Sequence, residues 1–215
     1  MAKGAQPPST GTLRTTLIQW GEGQTLHRVH SSLYQPDQFN PSNTGDARFS
    51  PLLDNSGTLV PTLYAGTTLD CALMETVFHD VPFHAGFKTL SKVSHVDGQV
   101  SSAIRSPRHL RLIDLTSIAL KKLGVRRCDL IDTEAAEYPI TRKWAARFYG
   151  DHSNADGLLW TSRQDDRAQA VVLFEPRLKG LSFIPVSGPE SLLLADGSAR
   201  PEVLNLADRL DVVLV

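Results

Sequence analysis

Two arginines stand where a guanidinium would need an anionic partner. Arg28 lies mid-strand between the apolar Leu26 and Val29, and a buried arginine is costly unless an anion binds it. Its planar donors suit a bidentate grip on a phosphate. Arg48 ends a loop rich in Gly and Asn, where backbone N–H groups can join a guanidinium at a phosphate. The residues alone equally allow an outward-facing Arg28 and an Arg48 paired with Asp46.

Tyr64 and Ser162 could contribute to the same kind of site. Tyr64 lies in a predicted strand, and its ring could stack on a flat ligand while its hydroxyl stays hydrogen-bonded. Ser162 follows a predicted strand, where a hydroxyl can bond a phosphate or position a water molecule. Ser162 is not a convincing nucleophile, because no His–Asp partner is identifiable by spacing. The alternatives are a core tyrosine and a serine that only shapes a turn.

Glu75 is the carboxylate best placed to act on a ligand. It lies on a predicted helix, roughly opposite the apolar stripe formed by Leu69, Leu73 and Thr76. A second, half-apolar face surrounds it, consisting of Cys71, Phe78 and His79. A carboxylate on such a face can line a cleft and stabilise a developing cation. The alternative is an ordinary solvated glutamate.

The elements that must position these residues are short. Strands are predicted over 25–30, 59–65, 87–96, 109–115, 157–161, 170–175, 182–186 and 212–215. Helices are predicted from a capping pattern at Thr67 to the stop at Pro82, and over 116–123, 142–149 and 203–210. Many short strands with few helices between them favour an α+β fold over repeated βαβ units. Residues 1–12 are expected to be a disordered tail, and residues 13–215 a single domain.

Composition excludes several classes of protein. The 215 residues carry 22 Lys and Arg against 23 Asp and Glu, so the net charge is −1 and no direct nucleic-acid binding is expected. No apolar run is long enough to span a membrane, and no signal peptide is visible. Cys71 and Cys128 form no disulfide framework, which favours a cytoplasmic location. The Rossmann, P-loop and hydrolase-elbow motifs are missing from the sequence.

The histidines do not form a recognisable metal motif. His27 and His30 are three apart on a predicted strand and would point to opposite faces. His79 and His84 flank a proline-containing turn and would need further ligands to hold zinc. No metal site is therefore expected.

Four short segments, in their order and spacing, resemble the RES domain, named for its arginine, glutamate and serine. The segments are LHRVH from Leu26, GDARFS from Gly45, LYAG from Leu63 with the following helix that holds Glu75, and DGLLWTSR from Asp156. The helix segment TRKWA from Thr141 and the strand AVVLF from Ala170 also look like that family, and the resemblance covers roughly residues 25–180. One departure is that two residues separate Gly45 from Arg48, whereas the commoner form has one.

The resemblance implies a fold, an activity and a partner. It implies a mixed β-sheet core similar to the bacterial ADP-ribosyltransferase toxins. It further implies the toxin of a toxin–antitoxin pair, blocked by an Xre-type helix-turn-helix antitoxin, with a homodimer allowed within the complex. Known members consume NAD⁺ as substrate by hydrolysis or phosphorolysis, so no separate cofactor is expected. A protein ADP-ribosyltransferase and a catalytically inactive interaction module remain the alternatives.

The resemblance also assigns roles to the five residues. Cleaving the bond between nicotinamide and ribose passes through an oxocarbenium-like transition state, as in glycoside hydrolysis. Arg28, Arg48, Tyr64 and Ser162 are the expected NAD⁺-binding residues, with the arginines on the pyrophosphate and the Tyr64 ring on the nicotinamide. Glu75, Arg28 and Ser162 are the expected catalytic residues.

Overall fold

The computed structural model describes residues 5–194 and 197–215. Twelve strands are found among these residues: β1 Thr16–Trp20, β2 Thr25–Ser31, β3 Leu52–Leu53, β4 Leu59–Val60, β5 Thr62–Gly66, β6 Lys88–Leu90, β7 Gln99–Arg105, β8 Leu110–Asp114, β9 Gly157–Thr161, β10 Gln169–Phe174, β11 Ile184–Ser191 and β12 Val212–Leu214. The helices are α1 Leu69–Met74, α2 Lys92–His95, α3 Ser117–Leu123, α4 Arg127–Leu130, α5 Tyr138–Asp151 and α6 Ala199–Arg209. Two 3₁₀ turns cover Ala135–Glu137 and Glu175–Arg177.

Eight strands form one mixed sheet in the order β1-β8-β9-β10-β5-β2-β7-β11. Strands β8 and β9 pair in parallel, whereas the other neighbours in this sheet are antiparallel. Two small two-stranded sheets, β12-β6 and β3-β4, flank it. The predicted α+β class with a mixed-sheet core is thereby confirmed.

Both faces of the central strands are buried. On β10, Val172 and Phe174 pack with Trp144 and Phe148 of α5. Val171, the residue before Val172, belongs to the apolar cluster on the other face of the sheet. This alternation follows from the two-residue period of a strand. It explains why β9 and β10 read as continuous apolar runs in the sequence.

Helix α1 is much shorter than predicted. Thr68, rather than Thr67, is the N-cap and accepts a hydrogen bond from the Cys71 amide at 3.0 Å. The helix ends at Met74, because the amides of Thr76 and Phe78 both turn back to the carbonyl of Leu73. Thr76, which was expected in the buried stripe, is therefore exposed.

Three strands, β1, β3 and β7, and two helices, α2 and α4, were not predicted from the sequence. β1 precedes the predicted first strand, and β7 was not predicted at all. β7 lies between β2 and β11, so its interior is buried on both faces and shows no alternation. The strand predicted over 87–96 is wrong beyond Leu90, because Ser91 caps α2 instead. Helix α5 extends beyond the predicted 142–149 at both ends, and β11 and α6 are likewise longer than expected.

The described part of the predicted tail contacts α5. The Trp144 indole N–H donates to the Ala5 carbonyl at 2.7 Å, and the Arg147 guanidinium donates to the Gly11 carbonyl at 2.7 Å. Residues 1–4 lie outside the described residues. The boundary between tail and domain remains a prediction.

Candidate active site

A pocket of about 340 Å³ opens where α1, β5 and the start of α5 meet. Its volume is within the range of small-molecule sites. Its wall combines cationic, acidic and aromatic groups over an apolar floor. The lining residues are Val29, Asp46, Ala47, Arg48, Tyr64, Ala65, Ala72, Glu75, Thr76, His79, Asp80, Tyr138, Trp160 and Ala170.

Glu75 enters this pocket from the end of α1. It is the C-cap residue, and its half-buried carboxylate accepts a hydrogen bond from the Ser162 hydroxyl at 2.6 Å. Its neighbours differ from the helical-wheel prediction, since Cys71 and Phe78 are fully buried in the core. Because α1 stops at Met74, the wheel does not apply beyond that point.

Ser162 holds Glu75 from behind. Its side chain is fully buried, and its hydroxyl also accepts hydrogen bonds from the amides of Gln164 and Asp165 at 3.0 Å each. The hydroxyl is thus engaged by three groups and does not line the pocket. This placement differs from the expected direct contact with substrate and gives Ser162 the geometry of a positioning residue.

Arg48 is a buried cation at the pocket wall. Only 5% of the residue is exposed, and Nη1 donates to the Thr133 hydroxyl at 2.6 Å and to its carbonyl at 3.3 Å. The guanidinium carbon lies 5.3 Å from the centroid of the Tyr138 ring. Burial lowers the pKa of Arg48.

No carboxylate forms a salt bridge with Arg48 in the described ranges. Asp46 pairs instead with Arg142 at 2.9 Å, so the alternative of an Arg48–Asp46 pair is wrong. A buried guanidinium with neutral partners retains capacity for an anionic ligand.

Tyr64 presents its ring to the pocket while its hydroxyl is engaged. The hydroxyl accepts a hydrogen bond from the Phe49 amide at 2.9 Å. The ring lies edge-on to Trp160, with centroids 6.3 Å apart. Burial raises the pKa of Tyr64 to about 12, so the phenol is neutral at physiological pH. Trp160 is only 2% exposed, yet it also lines the pocket.

Arg28 lies beside the pocket rather than in its lining. Arg28 is only 6% exposed. Its guanidinium donates to four backbone carbonyls, those of Tyr64 at 3.3 Å, Gln38 at 3.3 Å, Gln35 at 3.4 Å and Pro36. Burial lowers its pKa to about 10, an effect that the charge of Asp37 partly offsets. The structure therefore unites Arg48, Tyr64 and Glu75 around one pocket, with Ser162 behind Glu75 and Arg28 turned toward the 35–38 loop.

His79, Asp80 and Tyr138 line the pocket but were not assigned to the site from the sequence. His79 was expected beside Glu75 on the half-apolar helix face and next to a proline-containing turn, but no role was assigned to it. Tyr138 carried no sequence signal, because it reaches the pocket only through the docking of α5. Its hydroxyl lies 3.3 Å from Nε2 of His79.

The described residues carry neither a metal cluster nor a membrane-spanning helix. Among the described residues, no group of three or more His, Cys, Asp or Glu is arranged to hold a metal ion. Within those residues, no helix is both long and apolar enough to cross a membrane. The pocket lining itself offers a guanidinium, carboxylates and aromatic rings.

Comparisons with known proteins identify the family. No curated protein matches the chain. One solved structure with a similar fold is the M. tuberculosis MbcT–MbcA toxin–antitoxin complex, at 16% identity and a TM-score of 0.53, covering 81% of this chain and 85% of that one. The family model of the RES domain matches residues 25–192, which contain every pocket residue named above. The chain therefore belongs to the RES domain family.

Proposed function

We propose that this RES domain is a toxin that cleaves the nicotinamide–ribose bond of NAD⁺. The observation that carries the proposal is the Glu75 carboxylate, fixed by the Ser162 hydroxyl at 2.6 Å in a pocket that also holds a buried Arg48. A carboxylate oriented in this way can stabilise an oxocarbenium-like sugar, because it faces the charge that develops in the transition state.

The other pocket groups suit the remainder of the dinucleotide. Arg48 has neutral partners and can bind one phosphate of the pyrophosphate through charge-assisted hydrogen bonds. The Tyr64 ring and the indole of Trp160 offer aromatic surface to nicotinamide. Arg28 can reach a phosphate only if the 35–38 carbonyls release it, so its expected role in NAD⁺ binding requires that loop to move.

The reaction needs no further cofactor. The nicotinamide of NAD⁺ is already a cationic leaving group, and it departs with the electron pair of the broken C–N bond. Water or phosphate then takes its place on C1′. We place the activity in the cytoplasm, where a toxin of this kind would deplete NAD⁺ and arrest growth.

Product analysis tests the activity directly. Purified protein is incubated with NAD⁺, with and without phosphate, and the products are resolved by chromatography. We expect free nicotinamide together with ADP-ribose or its 1″-phosphate. Transfer of the sugar to an added protein would instead favour an ADP-ribosyltransferase. Intact NAD⁺ after incubation with folded protein would favour an interaction module without activity.

We further propose that an Xre-type antitoxin covers the pocket and supplies DNA binding. The structural neighbour is a toxin in complex with its antitoxin, and this chain has a net charge of −1. Proteins that bind DNA electrostatically carry a basic surface. Co-purification with the product of an adjacent helix-turn-helix gene should suppress NAD⁺ cleavage, and sedimentation would show whether the toxin is dimeric within the complex. A mobility shift by the chain alone at physiological salt would contradict the division of roles.

A further inference from the structure

We propose that Tyr138, His79 and Asp80 form a proton relay that activates the water molecule attacking C1′. This inference rests on the proposed function. It adds a set of residues that assists the attack of water on C1′ more than the attack of phosphate. All three residues line the same pocket as Glu75.

The hydrogen bonds among Asp80, His79 and Tyr138 define the direction in which protons move along the relay. Nδ1 of His79 lies 2.8 Å from a carboxylate oxygen of Asp80, which can only accept, so Nδ1 carries the proton. Nε2 is then an acceptor, and the Tyr138 hydroxyl donates to it at 3.3 Å. A side-chain amide of Gln164 donates to the His79 carbonyl at 3.0 Å and holds this turn in place.

The surroundings of Tyr138 keep its phenol protonated and fixed. The residue is 4% exposed, and its ring faces the guanidinium of Arg48. Burial raises the pKa of Tyr138, although nearby positive charges oppose the shift. The charged groups that act on the relay are Arg48, Arg163, Glu75 and Asp80.

The proposed step balances. As the oxygen of water forms a bond to C1′, the C1′–nitrogen bond breaks and its electron pair stays on nicotinamide, which leaves neutral. The water proton passes to the Tyr138 oxygen while the phenolic proton passes to Nε2 of His79. The Tyr138 phenol is thereby restored, and the resulting imidazolium, stabilised by Asp80, releases its proton to solvent through the open pocket, which restores neutral His79.

Phosphate makes a different demand on the site. A phosphate dianion already carries a negatively charged oxygen and needs no base to attack C1′. Loss of the relay should therefore slow hydrolysis more than phosphorolysis. The ratio of ADP-ribose to ADP-ribose 1″-phosphate, formed in one incubation at fixed phosphate, reports this difference directly. Since both products come from the same protein molecules, misfolding alone lowers both and leaves the ratio unchanged.

The principal test is Tyr138→Phe, which keeps the ring against Arg48 and removes only the hydroxyl. General-base assistance contributes about 10²–10⁴-fold, so we expect hydrolysis to fall by about a hundredfold and the product ratio to shift toward the phosphorylated sugar. Tyr149→Phe is the matched control, because Tyr149 packs on Arg177 away from the pocket. This control should keep the parent ratio.

His79→Gln should shift the product ratio in the same direction as Tyr138→Phe. The double variant Tyr138→Phe/His79→Gln should hydrolyse NAD⁺ no more slowly than either single variant, because the loss of one residue already interrupts the relay. His84→Gln, on an exposed residue of the same loop, is its control.

Three results would overturn the relay. These are an unchanged product ratio in folded Tyr138→Phe, additive losses in the double variant, and a parent protein that uses phosphate as its only acceptor. A parent that does not cleave NAD⁺ at all would instead contradict the proposed function itself.

Discussion

The contact between Ser162 and Glu75 has consequences that can be measured separately for stability and for turnover. Ser162→Ala removes a fully buried hydroxyl with three hydrogen bonds. The amides left without partners should lower the free energy of unfolding by about 1–3 kcal/mol. The loss of Glu75 orientation should lower kcat while KM for NAD⁺ stays near the parent value.

Ser106→Ala is the matched control for that prediction. Ser106 is equally buried and bonds the backbone of Arg108, far from the pocket lining. It should lose comparable stability and keep its kcat. Equal kcat in the two variants would show that Ser162 does not position Glu75.

Arg48 gives a prediction about binding. Arg48→Ala should raise Kd for NAD⁺ by about tenfold to a hundredfold, because a charge-assisted contact to phosphate contributes about 1.5–3 kcal/mol. Arg48→Lys should restore little of this affinity, since lysine lacks the planar fork. Isothermal titration measures each Kd.

Arg177→Ala controls for loss of a guanidinium packed on tyrosine. Arg177 lies 4.2 Å from the Tyr149 ring centroid and is not in the pocket lining. It should bind NAD⁺ like the parent. If folded Arg48→Ala did so as well, Arg48 would have no role at the phosphate.

At the scale of elements, the pairing of β2 with β7 buries a histidine whose ionisation affects stability. His30 is 7% exposed, and its Nε2 lies 2.9 Å from the Ser102 hydroxyl on β7. Burial is the main cause that lowers the pKa of His30, and the positive charge of Arg28 lowers this pKa further. The unfolded chain therefore binds this proton more readily than the folded one.

The protein should accordingly lose stability as the pH falls below about 6.5, the ordinary histidine value. His30→Gln can keep a hydrogen bond to Ser102 and removes the ionisation, so it should reduce this acid sensitivity. Urea unfolding at pH 7.5 and pH 5.5 measures it, with exposed His84→Gln as the control. Parent-like acid sensitivity in His30→Gln would contradict the assignment.

The sequence predicted elements well where a local signal exists. Gly157 starts β9 as expected, and Gly124 ends α3 in the left-handed conformation with φ 78°. β7 escaped prediction because Ser101 and Ser102 lie in a strand buried on both faces, a placement that depends on its neighbours β2 and β11. The early end of α1 likewise depends on the burial of Phe78, which is a tertiary effect.

The identity of the site residues could be predicted from the sequence better than the contacts between them. Arg48, Tyr64 and Glu75 could be named from the sequence and share one pocket. The orientation of Ser162 toward Glu75 could not, since it arises from the turn after β9 and its amides at Gln164 and Asp165. The approach of Tyr138 to His79 depends on the docking of α5, which no local pattern encodes.

At the scale of the whole molecule, the sheet brings distant segments of the chain to one pocket. Arg48 comes from the loop before β3, Glu75 from the end of α1 and Tyr138 from the start of α5. The RES match over residues 25–192 spans all three. The pocket is therefore a property of the complete fold, and a destabilised fold would lose it as a unit.

Turnover of NAD⁺ by Glu75→Gln shows whether the Glu75 carboxylate drives cleavage of the nicotinamide–ribose bond. The substitution keeps size and hydrogen-bonding capacity and removes the charge. Exposed Glu202→Gln on α6 is the matched control. We expect folded Glu75→Gln to bind NAD⁺ with near-parent affinity, to release nicotinamide about 10²–10³ times more slowly and to fail to arrest growth, while Glu202→Gln behaves like the parent. Nicotinamide release by Glu75→Gln at the parent rate would contradict a catalytic role for the Glu75 carboxylate.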